Sequence, residues 1–118
     1  MTEKDDQIAL FDWASYRPDL KLMCHIGNEG KRSVQHTVMM LRMGMKPGVP
    51  DIMLPVAKGR YHGLFIELKR KDGGRLSPAQ REWQKALIEE GYAACVCKGF
   101  EEAKETIDWY MRGAKRDD

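Results

Sequence analysis

Gly48-Val49-Pro50-Asp51-Ile52-Met53-Leu54 and, across a short gap, Gly63-Leu64-Phe65-Ile66-Glu67-Leu68-Lys69 are two apolar runs that carry charge at their ends. Leu64, Phe65, Ile66 and Leu68 are apolar and β-compatible, and Gly59 and Asp72-Gly73-Gly74 bracket them, so residues 62–68 read as a buried strand. Side chains on a strand alternate faces, which places Glu67 and Lys69 on one side, about 7 Å apart along the chain. Asp51 opens the preceding run, Ile52 to Val56, directly after a proline that cannot donate to a ladder and so marks a strand start or edge. Paired as a hairpin, the two runs bring Asp51 near Glu67.

A carboxylate two residues before a lysine is common in a chain that is 32% charged, and it occurs here four times, at Asp19/Lys21, Glu29/Lys31, Glu67/Lys69 and Glu102/Lys104. Pro-Asp occurs twice, at Pro18-Asp19 and Pro50-Asp51. Glu67/Lys69 differs from the other pairs because it lies inside an apolar strand, where an unpaired charge is costly to bury. A strand-end salt bridge is the plain structural reading. The chemical reading is a metal-dependent nuclease. Mg²⁺ takes oxygen ligands, keeps several waters, and is held by one or two carboxylates together with substrate phosphates. Asp51 and Glu67 form that minimal anionic seat, and Lys69 can orient or deprotonate a water or neutralise charge developing on the phosphate.

Outward from this pair, the order reads helix, strand, helix, strand, strand, helix, strand, helix. Gln7 to Ser15 predicts a helix ending before Pro18, and Leu20 to Ile26 is strand-like. Val34, Val38, Leu41 and Met45 recur at helical spacing, which makes Met39, Met40, Met43 and Met45 packing or interface residues. Ser77 caps a helix starting at Pro78, with Trp83, Leu87 and Ile88 facing the core and Gly91 closing it. Tyr92 to Cys97 returns as a strand, and Glu101 to Met111 is the last helix. The sum is one α/β domain over residues 1–118 with a mixed sheet flanked by helices. No Gly-rich phosphate fingerprint follows a strand, which argues against ATP or NAD.

A net charge of +2 describes a mildly basic protein, so DNA affinity has to come from local clusters: Lys31-Arg32, Lys58-Gly59-Arg60, and Lys69-Arg70-Lys71 with Arg75. Cys24, Cys95 and Cys97 show no metal or redox spacing and read as small buried thiols of a reducing cytosol. His25, His36 and His62 form no ligand cluster, although His62 precedes the strand of Glu67 closely enough to approach a phosphate. With no signal peptide and no long apolar run, the expectation is a soluble cytoplasmic protein.

Gly48-Val49-Pro50-Asp51, Gly63-Leu64-Phe65-Ile66-Glu67-Leu68-Lys69 and Leu76-Ser77-Pro78-Ala79-Gln80-Arg81-Glu82-Trp83 together resemble the VRR-NUC nucleases of the PD-(D/E)XK superfamily, whose small stand-alone members are common in bacterial viruses. The likeness extends over nearly the whole chain, including a loop at Asn28-Glu29-Gly30-Lys31-Arg32. It implies a restriction-endonuclease-like fold and Mg²⁺- or Mn²⁺-dependent cleavage of DNA. It further implies selectivity for branched substrates such as four-way (Holliday) junctions, and a homodimer. Transferred residue by residue, it makes Asp51 and Glu67 metal ligands, the Leu68 carbonyl a further ligand, Lys69 the catalytic lysine and Gln80 a glutamine beside the site. Glu3 matches the acidic residue that the first helix contributes; without the resemblance, Glu3 is also the acid that a first helical turn favours, and both readings stand. Lys31, Arg32, Arg70, Lys71 and Arg75 are the expected DNA contacts. Asn28-Glu29-Gly30, a plain turn by its residues, borders the DNA path by resemblance.

The alternative is a DNA-binding or assembly module that kept the fold and lost the chemistry. The presence of Asp51, Glu67, Lys69 and Gln80 together disfavours it, because a degenerate domain is free to lose its most costly buried charges.

Overall fold

The computed structural model describes residues 2–27 and 33–113. Helix α1 (Glu3–Ala14) begins at Thr2, whose hydroxyl accepts the Asp5 N–H at 3.1 Å while Asp5 Oδ2 accepts the Thr2 N–H at 3.0 Å. This reciprocal cap starts the helix ahead of the expected Gln7. The stretch expected to be a strand from Leu20 to Ile26 is different. Pro18 opens a 3-10 turn (Pro18–Leu20), and only Cys24–His25 (β1) is extended. The turn lets Leu20 and Met23 both reach the core, at 2% and 8% exposure, which an alternating strand would have prevented.

The remaining elements are α2 (Val34–Arg42), β2 (Ile52–Leu54), β3 (Leu64–Lys69), α3 (Pro78–Glu89), β4 (Ala93–Lys98) and α4 (Gly99–Met111). The four strands lie in the order β1-β2-β3-β4; β1, β2 and β3 are successively antiparallel, and β4 runs parallel to β3 through the α3 crossover. The fold is therefore a mixed sheet flanked by helices. Strand β2 ends at Leu54, short of the expected Val56, because Pro55 has no N–H to continue the ladder.

Register divides the sheet into two faces. Ile52 pairs with Ile66, Leu54 with Leu64, and Leu64, Ile66 and Leu68 align with Ala93, Cys95 and Cys97. This face is sealed by Leu10 and Ala14 of α1 and by Ala103, Ile107 and Tyr110 of α4. Tyr110 is wholly buried, and its hydroxyl donates to the Val56 carbonyl at 2.6 Å, satisfying the chain where β2 ends. The opposite face carries Phe65, Glu67 and Lys69, and α3 crosses over it.

Three side-chain expectations need correction. Ile88 does not face the core: it is 56% exposed, and Leu87 is the buried residue of α3. Cys24 is exposed at the sheet edge, whereas Cys95 is half-buried and Cys97 buried. Helix α2 buries none of its residues: Val34, Val38, Met39 and Leu41, with Met43 just beyond it, are exposed, and Met40 and Met45 are half-buried, so interior packing is not the role of Met39 and Met43. Among the described residues, no helix is long and apolar enough to cross a membrane.

Candidate active site

Asp51 stands one residue before β2, and continuing the Ile52↔Ile66 register places it opposite Glu67. Directly opposed residues of an antiparallel pair share a face, so the hairpin brings the two carboxylates together. Asp51 is held from both sides. Its Oδ2 accepts the Leu68 backbone N–H at 2.9 Å, and its own carbonyl accepts the Ile26 N–H at 2.6 Å. His25 Nδ1 lies 2.9 Å from the same carbonyl. A carbonyl only accepts, so this ring nitrogen carries the proton.

Glu67 is 3% exposed. Its Oε2 accepts Gln80 Nε2 at 3.1 Å and lies 3.7 Å from Lys69 Nζ. Its Oε1 is buried and, among the described residues, receives no hydrogen-bond donor, while the Asp51 carboxyl lies against the Glu67 side chain. Burial first, and then the charge of Asp51, push the Glu67 carboxyl up to about 8; Lys69 pulls it down and Glu3 adds to the rise. Two carboxylates facing each other in a half-dry site repel unless a proton or a cation joins them.

An orphaned buried oxygen opposite a second carboxylate, in an all-oxygen donor set, fits a hard divalent cation that keeps open positions for water and substrate. Among the described residues, no three of His, Cys, Asp and Glu assemble into a closed ligand group. Glu3 is close enough for its charge to add to the rise at Glu67.

Lys69 and Gln80 complete the constellation. Lys69 Nζ donates to Gln80 Oε1 at 3.2 Å, and its side chain is 15% exposed. Gly74, at φ +94°, lies so close to the lysine stem that a Cβ there would fall 3.2 Å from Lys69 Cδ. Gln80 belongs to the first turn of α3, where Ser77 Oγ accepts the Gln80 N–H at 3.1 Å and Gln80 Oε1 accepts the Ser77 N–H at 2.8 Å. On the other side of the turn Gly48, at φ +92°, packs flush on α3: a Cβ there would meet Ala79 backbone atoms at 2.6 Å.

The expected site residues Asp51, Glu67, Lys69 and Gln80 therefore meet at one end of the hairpin, with Leu68 between Glu67 and Lys69. Arg70, Lys71 and Arg75 are exposed in the turns leaving β3, and Lys71, Lys98 and Asp6 line an adjoining cavity of about 520 Å³ at the start of α4. Lys31 and Arg32, with Asn28-Glu29-Gly30, lie outside the described residues. Lys58 and Arg60 sit at the opposite end of the hairpin, where Lys58 bridges Tyr61. His62 is also at that end, with its ring 5.7 Å from Tyr92, so it does not share the site of Glu67. Sequence reading missed His25: its contact with Asp51 follows from the pairing of β1 with β2, which no local pattern announces.

Residues 1–101 match the family model of the VRR-NUC domain. A solved structure described as a VRR_NUC domain protein is similar to this chain with a TM-score of 0.83 and 32% identity, over 95% of this chain and 89% of that one. No curated protein matches the chain.

Proposed function

Because the chain belongs to the VRR-NUC family, and is thereby a nuclease-type DNA-processing domain, we propose that it is a divalent-metal-dependent endonuclease that hydrolyses DNA phosphodiester bonds. The observation that carries this reading is buried Glu67, its Oε1 without a donor among the described residues, opposite Asp51 and flanked by Lys69 and Gln80. Asp51 and Glu67 would hold Mg²⁺ or Mn²⁺. The Leu68 N–H points at Asp51, and the carbonyl of a strand residue points to the same edge as its N–H, which supports the Leu68 carbonyl as a further ligand. When bound, the cation polarises the scissile phosphate and lowers the pKa of its water.

The rest of the chemistry belongs to the chain. Asp51 is fixed by the Leu68 amide, so its charge is aimed before substrate arrives. Gln80 holds Glu67 Oε2 and leaves Oε1 for the metal side. Lys69, steadied by Gln80, is placed to orient the attacking water and to offset charge building on the phosphate. Arg70, Lys71 and Arg75 would hold flanking phosphates, contacts that position a duplex without reading its sequence.

We further propose that the substrate is branched DNA and that the chain works as a homodimer, because symmetric cleavage of a junction needs two sites related by a two-fold axis. Helix α2 supports the dimer. A nine-residue helix is too short to be stable on its own in water, and this one exposes Val34, Val38, Met39 and Leu41, with Met43 exposed at its C-cap. The test is cleavage of labelled four-way junction, flap, linear duplex and single strand with Mg²⁺, Mn²⁺ or EDTA. Metal-dependent products are expected, most on the junction; intact DNA in every lane with a folded protein would leave a binding module as the better account.

A further inference from the structure

Gln80 serves two structures at once. Its Oε1 accepts from the Ser77 backbone N–H at 2.8 Å and from Lys69 Nζ at 3.2 Å, while its Nε2 donates to Glu67 Oε2 at 3.1 Å. Both groups facing Oε1 are donors and the carboxylate facing Nε2 is an acceptor, so the chemistry leaves one amide orientation. Of the three partners, only the Ser77 N–H is fixed by backbone; the other two sit on side chains that the amide itself holds.

We propose that the backbone N–H of Ser77 is the positioning group of the site: the cap of α3 sets the amide of Gln80, and through it the carboxylate of Glu67 and the ammonium of Lys69. The inference rests on the nuclease reading for its activity arm. A first turn that orients a side chain must itself be unable to swing. Ser77 Oγ closes that turn on the Gln80 N–H at 3.1 Å, and Gly48 seats the loop bearing Asp51 directly on Ala79. Both halves of the site are thus referred to one helical turn. With the Ser77 N–H absent, Gln80 can flip or leave, and Glu67 Oε2 loses a donor while buried.

Ser77 has φ −71° and ψ 163°, values proline also adopts, so Ser77→Pro removes the N–H while suiting the backbone angles of residue 77. Ser77→Ala removes the hydroxyl and keeps the N–H. In both variants α3 is less well capped and the melting temperature falls. Ser77→Pro is expected to lower kcat about tenfold further than Ser77→Ala does, the worth of one hydrogen bond in a charged network. It should also move the Gln80 side-chain NH₂ resonances to the positions of a free glutamine. In a Gln80→Ala background, Ser77→Pro should cost no further activity, because the two act as one unit.

Equal kcat in the two Ser77 variants, or Gln80 resonances unmoved in Ser77→Pro, would overturn the proposal. Should Ser77→Pro not fold, hydrogen exchange decides. The Ser77 amide is expected to be protected in the wild type and free in Gln80→Ala, and a Ser77 amide equally free in both would overturn it. A wild type that cleaves no DNA would sink the nuclease reading alone, since the resonance and exchange arms do not depend on turnover.

Discussion

Asp51 and Glu67 are neighbours across β2 and β3, joined by register and divided by charge. The pair is assembled from a single hairpin, and Asp51 Oδ2 takes the Leu68 N–H that follows Glu67 in the chain. An asparagine at 51 can still accept that N–H through its amide oxygen, and what it lacks is charge. Asp51→Asn is therefore expected to keep the wild-type circular dichroism and melting curve to within a few degrees while cleavage falls by at least about a hundredfold. A variant that cleaves normally would remove Asp51 from the site.

Lys69→Met keeps the buried stem and removes the donor to Gln80 Oε1. Single-turnover cleavage is expected to slow by about 10²–10³-fold, the usual range for losing a positioned acid–base or charge-stabilising group. DNA affinity measured by anisotropy should change far less, because Arg70, Lys71 and Arg75 remain.

The titration of Glu67 gives a signed prediction for the metal-free protein. Its folded value is raised from an ordinary 4.5 to about 8, mainly by burial and then by Asp51. The folded chain holds that proton more tightly than the unfolded one, so its stabilising effect is complete below 4.5 and is lost as pH climbs to about 8. Thermal melts across that window should fall for the wild type and stay flatter for Glu67→Gln. Added Mn²⁺ should raise the melting temperature most at the upper end, where no proton has to be displaced.

Helix α2 predicts association. Light scattering is expected to report two chains for the wild type, and Val38→Glu, which puts a charge into the exposed apolar stripe, should yield single chains with an unchanged fold. A wild type that stays single at working concentration would remove the symmetric-cleavage argument.

Tyr110→Phe separates stability from chemistry. It strands the Val56 carbonyl, now bonded at 2.6 Å, and should cost about 1–3 kcal/mol in denaturant melts while metal-dependent cleavage of the folded fraction is retained.

Much of this site is legible in the sequence because its members are local. Asp51, Glu67 and Lys69 sit on two runs of one hairpin, and Ser77-Pro78 announces the helix that carries Gln80. Period-two patterning and cap chemistry are short-range signals, and they located β2, β3, α3 and β4. What stayed hidden was long-range. The Pro18–Leu20 turn replaced an expected strand because burial of Leu20 and Met23 outweighed β propensity. His25 reached Asp51 through a strand pairing that no neighbouring residue signals. The failure to bury α2 depends on what the rest of the fold leaves uncovered, and helical spacing alone does not contain that information.

The bond between the Leu68 amide and Asp51 also makes the protein its own indicator. An amide proton given to an ionised carboxylate is deshielded, and it responds when that carboxylate takes up a proton or shares its charge with a cation. One backbone resonance therefore reports occupancy of the acidic pair during a titration with metal or DNA, with no probe attached.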